Sequence, residues 1–416
     1  MTPQPLSHEM WFAQFEGYLH QQGYRAQTTH RYRTVCRQFL EYLQERNIAL
    51  EQVEPATLEA YLQAQCQRYE QRHGRAPHPA HHLFNRGITL LLRLVHGHWP
   101  PPMLPTSPQA CFQQQVCEGY AQWLARCRGL VPRTIASRQA RAQKLLAWLG
   151  ARGTSAHLRD LSVADLDAYF VAQAPALRRS TRADLTGSLR DFLRYLYAHG
   201  LITYDLAPTV LSPTLYAFER LPAALTPEQV QAVLDHARQD RTPIGVRNYA
   251  ILLLLATYGL RAGEVVRLRL EDIDWRNECL YVQQSKTGRT TVLPLIASVG
   301  EAILDYLREG RPTTEVREVF LRALAPIQPF RQGSSLYSIV ARRLAKAGIE
   351  PAGKRGPHTF RHARAISLLR ASVPMKAIGD LLGHTVPAAT AIYLKLATDD
   401  LRDVCLDIPT TEENMS

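Results

Sequence analysis

The chain has 416 residues, 46% of them apolar and 21% charged, with a net charge of +12 and an isoelectric point near 9.5. That length supports two or three domains with full apolar cores, and seven scattered cysteines, an odd number without any Cys-x-x-Cys pair, exclude a disulfide framework. The opening MTPQPLSHEM has no apolar signal stretch and the longest apolar run, Ala250 to Ala256, is far too short to cross a bilayer, so a cytoplasmic protein with reduced thiols and no membrane partner is expected.

The charge is uneven. Residues 395–416 hold six acids against Lys395 and Arg402, which leaves +16 on the rest. A body that basic suits a polyanion, because lysines and arginines that neutralise phosphates gain affinity by releasing counterions. The mild basicity of an ordinary soluble protein competes with this reading, and charge alone does not decide between them.

In chain order, residues 1–105 read as a helical module broken by a Pro- and His-rich stretch, Gly74 to His82, and closed by a second Pro-rich stretch, Trp99 to Pro108. His73, His78, His81 and His82 have no Cys or carboxylate at metal-ligand spacing, so they read as linker, and no metal or other cofactor is expected. A second helical module covers 110–208 and ends at a third breaker stretch, Pro208 to Pro222.

The two modules resemble each other. TTHRYRTVCRQFLEYL from Thr28 aligns with TIASRQARAQKLLAWL from Thr134, placing Phe39, Leu40 and Leu43 over Leu145, Leu146 and Leu149. After a two-residue insertion, LEQVEPATLEAYLQAQ from Leu50 aligns with LRDLSVADLDAYFVAQ from Leu158, so that Tyr61 falls on Tyr169. Chance matches between amphipathic bundles are the competing explanation; the shared A-Y-x-x-A-Q favours a duplication. The first module sets Arg31, Arg33 and Arg37 among its helical apolar positions. The second interleaves more of them with apolar positions, and Arg133, Arg138, Arg141, Lys144, Arg179 and Arg182 make a candidate DNA-facing surface, against the ordinary reading of solvated charges.

From residue 221 to 401 the pattern becomes mixed, and 402–416 is left as an acidic tail. Thr226-Pro-Glu-Gln229 is a helix start with a capping box and proline at its first position. NYAILLLLATY from Asn248 predicts a buried helix stopped by Gly259, and a short helix follows Arg261 and ends near Leu270. Leu280 to Gln284 and Thr290 to Leu295 predict two strands around a turn that carries Lys286 and Arg289. Ser335 to Leu344 is an amphipathic helix, Pro357 opens another, and Leu381-Leu382-Gly383 ends a third, with His384 in the turn and Pro387 starting the helix that carries Tyr393.

Six of these residues, Arg261, Lys286, His358, Arg361, His384 and Tyr393, make a kit for breaking a phosphodiester without a metal. Two guanidiniums can clamp one phosphate bidentately, a lysine and a histidine can move protons, and a tyrosine hydroxyl can attack phosphorus. Taken singly each has an ordinary role: Tyr393 as packing, the histidines as helix caps, Lys286 as a solvated turn residue.

The motifs YGLRAGEVVRL, SKTGRTTVLPL, HTFRHARA and LLGHTVPAATAIY resemble those of the tyrosine recombinases, or phage integrase family. The resemblance spans about 221–401 and, more loosely, the 110–208 module, which is similar to that family's core-binding domain. It implies a mainly α chain of several domains: two N-terminal helical (SAM-like) modules and a catalytic domain with a small antiparallel β-sheet. It also implies site-specific cleavage and rejoining of double-stranded DNA through a 3′-phosphotyrosine on Tyr393, for a mobile element's integration or transposition. Arg261 and Arg361 would bind the scissile phosphate, Lys286 would protonate the leaving 5′ oxygen, His358 would assist proton transfer at Tyr393, and His384 would donate to a phosphate oxygen. Glu264 would orient the cations. A homotetramer on DNA, with residues 395–408 docking in trans and an accessory recombinase or other protein as a possible partner, would follow. Two alternatives stay open: a catalytically silent DNA-binding protein on the same scaffold, and a type IB topoisomerase.

Overall fold

A computed structural model of the chain describes residues 8–76, 85–101, 105–216, 224–284, 288–351, 353–384 and 388–395. Lys286, His78, His81, His82, Pro387 and the 402–416 tail lie outside them, as does all of 395–408 but Lys395. Backbone contacts divide the chain into two compact units, Pro102–Arg220 and a larger one joining Met1–Pro101 to Leu221–Ser416.

In the first stretch, α1 (His8–Gln21), α2 (Ala26–Gln44), α3 (Pro55–His73) and α4 (Asn85–His96) close around Phe15, Leu19, Phe39, Leu43, Ile88 and Leu91. Cys36, Phe39, Leu40 and Leu43 recur three and four apart, which puts one apolar stripe of α2 into that core. The end of α1 reaches the rest of its unit where the Gln22 carbonyl accepts the Ile327 N–H at 3.1 Å.

In the smaller unit, α5 (Pro108–Arg128), α6 (Pro132–Leu149), α7 (Val163–Gln173) and α8 (Arg179–Ala198) pack around Tyr120, Leu145, Leu146, Leu189, Phe192 and Leu193. The residues aligned between the two stretches occupy matching places in their bundles. Phe39, Leu40 and Leu43 on α2, like Leu145, Leu146 and Leu149 on α6, are buried, and Leu50 and Leu158 each begin a 3-10 turn. Tyr61 meets Tyr42 edge-on at 5.1 Å and 64°, and Tyr169 meets Trp148, aligned with Tyr42, at 5.4 Å and 68°.

The remainder of the larger unit holds α9 (Pro227–Arg238), α10 (Pro243–Tyr258), α11 (Ala262–Arg267), α12 (Ala297–Asp305), α13 (Ser335–Lys346), α14 (Pro357–Arg370), α15 (Met375–Leu382) and α16 (Ala388–Ala391). The capping box is present at α9: Thr226 Oγ1 accepts the Gln229 N–H at 3.2 Å and Gln229 Oε1 accepts the Thr226 N–H at 3.1 Å. The core runs along α10, whose Ile251, Leu254 and Leu255 are fully buried with Phe320 and Phe360.

The sheet is antiparallel in the order β1 (Ile273–Asp274), β2 (Cys279–Gln283), β3 (Thr290–Pro294), with Leu280 opposite Leu293 and Val282 opposite Thr291. Both long strands end one residue earlier than the alternation predicts, and β1 was not expected because two residues carry no periodicity. α10 begins at Pro243 rather than Asn248, since Thr242 caps it by accepting the Gly245 N–H. α11 stops at Arg267, before Leu270, where the chain tightens into a 3-10 turn. No helix among the described residues is long and apolar enough to cross a membrane.

Candidate active site

The site is assembled at helix ends. Gly259 closes α10 in the left-handed conformation at φ 65°, where a Cβ would come within 2.9 Å of Leu382, so the chain turns there against α15. Two residues on, Arg261 stands at the head of α11. Glu264, buried in the first turn, takes the Arg261 backbone N–H on Oε2 at 2.7 Å and its guanidinium on Oε1 at 2.8 Å. One carboxylate thus fixes both ends of Arg261, whose other nitrogen donates to the Gly383 carbonyl at 2.9 Å.

Arg361 lies in the second turn of α14, only 4% exposed. Its guanidinium donates to the carbonyls of Gly259, at 2.9 Å, and Leu382. Burial first, then the positive field of Arg261, pull its pKa down to about 10, so it remains a cation at neutral pH. Two arginines are therefore held side by side by neutral carbonyls and a single carboxylate.

His384 follows Gly383, which ends α15 at φ 62°. A Cβ on Gly383 would fall within 2.5 Å of the Gln284 side-chain amide. Gln284 in turn donates to Thr291 Oγ1 at 2.7 Å, so the hairpin stem abuts this turn two residues from Lys286 in sequence. His384 Nδ1 lies 2.8 Å from Thr390 Oγ1. Burial, then Arg361 and Arg261, lower the His384 pKa to about 4, so in the free protein the ring is neutral; in the tautomer that accepts the Thr390 hydroxyl at Nδ1, the proton lies on Nε2.

Tyr393 sits in the 3-10 turn Ile392–Lys395 that continues α16. Its ring, 2% exposed, packs with Ala365, Ile378 and Leu382, so the packing role open to it in sequence is fulfilled. Its hydroxyl nevertheless meets polar groups: His362 Nδ1 at 3.1 Å and the Arg361 guanidinium, which donates to it. Burial raises the Tyr393 pKa while Arg361 and Arg261 pull against that rise.

His362 is absent from the six residues the motifs supplied. It follows Arg361 directly and lies four after His358, one helical turn on, so the repeated histidine in HTFRH was the available signal. His358, exposed at the start of α14, stacks with His362 at a centroid distance of 6.1 Å. The structure brings together Arg261, Glu264, Arg361, His384 and Tyr393, with His358 at the rim; Lys286 lies outside the described residues.

Residues 223–399 match the phage integrase family. Over 192 residues the chain is 59% identical to the putative integrase/recombinase y4gC of Sinorhizobium fredii, covering 46% of this chain and 98% of that one. The chain belongs to the phage integrase family of tyrosine recombinases. It is also 30% identical to the tyrosine recombinase XerD of Vibrio vulnificus, over 68% of this chain and 91% of that protein. A crystal structure of the XerH site-specific recombinase bound to palindromic difH substrate shares the fold with a TM-score of 0.54 at 16% identity, covering 73% and 98% of the two chains. The chain is thus a site-specific DNA recombinase.

In the smaller unit of this recombinase, several arginines expected to face DNA are engaged within the protein. Arg138 pairs with the buried Asp191, Arg141 donates to the Asp184 carbonyl and to Ser188 Oγ, both at 2.6 Å, and Arg182 donates to the Leu177 carbonyl at 3.0 Å. These contacts brace α6 and the start of α8, a use that helical spacing cannot distinguish from a surface role. Arg133, Lys144 and Arg179 are exposed, the last with its guanidinium 5.4 Å from the Tyr216 ring, and Arg289 is exposed beside the hairpin turn.

Proposed function

We propose that the recombinase cuts and rejoins one DNA strand at a time through Tyr393, with the scissile phosphate bound between Arg261 and Arg361. The observation that carries this reading is the convergence of a buried and a part-buried cation and a hydrogen-bonded tyrosine hydroxyl on one spot. A phosphate there would exchange the Gly259, Leu382 and Gly383 carbonyls for charged oxygens, which bind a guanidinium more strongly, and the extra charge of the pentacoordinate transition state would gain most. His384 would donate its Nε2 proton to a non-bridging oxygen, Lys286 would protonate the departing 5′ oxygen, and His358 would face the DNA from the rim.

The proton balance closes without a metal: the Tyr393 proton passes to a neighbouring imidazole and Lys286 supplies the one that the 5′ oxygen takes. The Tyr393 oxygen bonds to phosphorus as the P–O5′ bond breaks, and because the new phosphodiester keeps the bond energy, a 5′ hydroxyl can reverse the step without ATP. The larger assembly in this reading is a homotetramer on duplex DNA, with residues 395–408 docking on a neighbouring copy, in the cytoplasm, acting for a mobile element. Three divisions, 1–105, 110–208 and 221–401, the first a duplicate of the second, fit the separate cores and the matched aromatic pairs.

Covalent trapping tests this. Wild type and Tyr393→Phe are incubated with nicked duplexes tiled across the DNA flanking the gene and run on a denaturing gel. A protein–DNA adduct with wild type alone supports the reading and locates the site; DNA binding by both with no adduct on any fragment supports the silent DNA-binding alternative. Loss of 396–416 with unchanged assembly on DNA would remove the trans docking.

A further inference from the structure

Resting on that reading of Tyr393, we propose that His362, through Nδ1, is the base that takes the nucleophile's proton and returns it when the strand is rejoined. The 3.1 Å contact between His362 Nδ1 and the Tyr393 hydroxyl carries the assignment. Arg361 donates to the Tyr393 hydroxyl, and a guanidinium has no acceptor, so the hydroxyl oxygen is the acceptor there. Another polar neighbour of the hydroxyl is His362 Nδ1, 3.1 Å away, and in its Nε2-protonated tautomer that ring accepts the hydroxyl's own proton. That distance is within the range a proton-transfer pair needs before the substrate has tightened the site.

The surroundings keep this imidazole ready to accept. Burial first, then the charges of His358, Arg361 and His384, lower its pKa to about 4, so it is neutral in the free protein. A bound phosphate counters the field of Arg361 and Arg261 and raises the proton affinity of the ring as Tyr393 comes under attack conditions. As the Tyr393 oxygen bonds to phosphorus, its O–H bond breaks and the proton passes to Nδ1, giving an imidazolium. The P–O5′ bond breaks in the same displacement, and the 5′ oxygen takes its proton separately from the leaving-group acid, Lys286. In rejoining, a 5′ hydroxyl attacks phosphorus and gives its proton back to the Lys286 amine while the imidazolium returns its own to the departing Tyr393 oxygen. The α-helix sets the geometry: His362 and Arg361 are consecutive on α14, so the base and the phosphate clamp move as one rigid element.

His362→Asn and His362→Gln test the assignment, since Asn can still hydrogen-bond near the Nδ1 position but cannot act as a base. Adduct formation is timed on the nicked duplex at which wild type is trapped, and again on the same duplex with sulfur replacing the bridging 5′ oxygen, whose thiolate leaves without a proton. Cleavage by both variants is expected to fall roughly a hundredfold or more, to rise with pH as hydroxide replaces the base, and to stay slow on the sulfur substrate. Lys286→Ala, which lacks the acid instead, is expected to recover on sulfur. Cleavage by His362→Asn within about threefold of wild type would overturn the assignment, leaving a positioning role. Recovery of the His362 variants on the sulfur substrate would also overturn it, by moving the defect to the leaving group. DNA binding by each variant, measured by gel shift, separates these outcomes from misfolding. Absence of any adduct with wild type would instead count against Tyr393 itself.

Discussion

Two groups of arginines in this protein gather around carboxylates to very different effect. On α5, α6 and α8, Arg128, Arg138 and Arg194 gather around one carboxylate, Asp191, which is 3% exposed. Their own side chains reach water: those of Arg128 and Arg194 are 45% and 50% exposed. At the active site, Arg261 and Arg361 share Glu264 and three backbone carbonyls, with the Arg261 side chain only 17% exposed. Water screens the first cluster, so it serves as a clamp between helices. Screening is poor in the second, so its surplus positive charge persists until an anion arrives. The same residue type is a strut in one place and, in the proposed function, a phosphate receptor in the other, and exposure with partner chemistry makes the difference.

Breaking the receptor gives the largest effect. Arg361→Ala is expected to lower cleavage of the nicked duplex roughly a thousandfold while the protein still binds DNA through its other basic residues, as adduct formation and gel shift would report. Breaking the strut moves stability instead. Asp191→Ala leaves three part-exposed arginines without their shared carboxylate and, because water screens them, is expected to cost about 1–2 kcal/mol, read as a lowered unfolding midpoint of the smaller unit, while adduct formation by the folded fraction stays intact. An equal loss of cleavage and stability in both variants would erase the distinction between the two clusters.

Titration sharpens the contrast further. His362 and His384 have folded pKa values near 4, whereas an unfolded histidine titrates near about 6.5. Between those values the unfolded chain binds more protons, so stability present at neutral pH declines as the pH falls through that window. Thermal melts from pH 7 to pH 4.5 should show that decline for wild type and a shallower one for His362→Asn. The smallest expected effect calibrates the others: Thr226→Ala removes the α9 cap and should cost about 1 kcal/mol with cleavage unchanged.

Much of the site was legible because its residues sit at punctuation marks. Gly259 and Gly383 end helices and Pro357 begins one, so Arg261, Arg361 and His384 could be placed at helix ends from local rules alone. His362 was hidden by its neighbours, since Arg361 and His358 accounted for the motif and nothing local says which imidazole faces a tyrosine 31 residues later. Helix periodicity likewise marked Arg138, Arg141 and Arg182 as basic without saying that Asp191, the Asp184 carbonyl and the Leu177 carbonyl would engage them.

The sequence by itself determined the helical layout, the hairpin and the residue types that suit phosphodiester chemistry, because caps, breakers and apolar spacing act over a few residues. Tertiary structure decided which arginines keep their charge for a ligand, which are neutralised, and which histidine meets Tyr393. Those outcomes depend on burial and on partners distant in the chain, and both are set only when the helices pack.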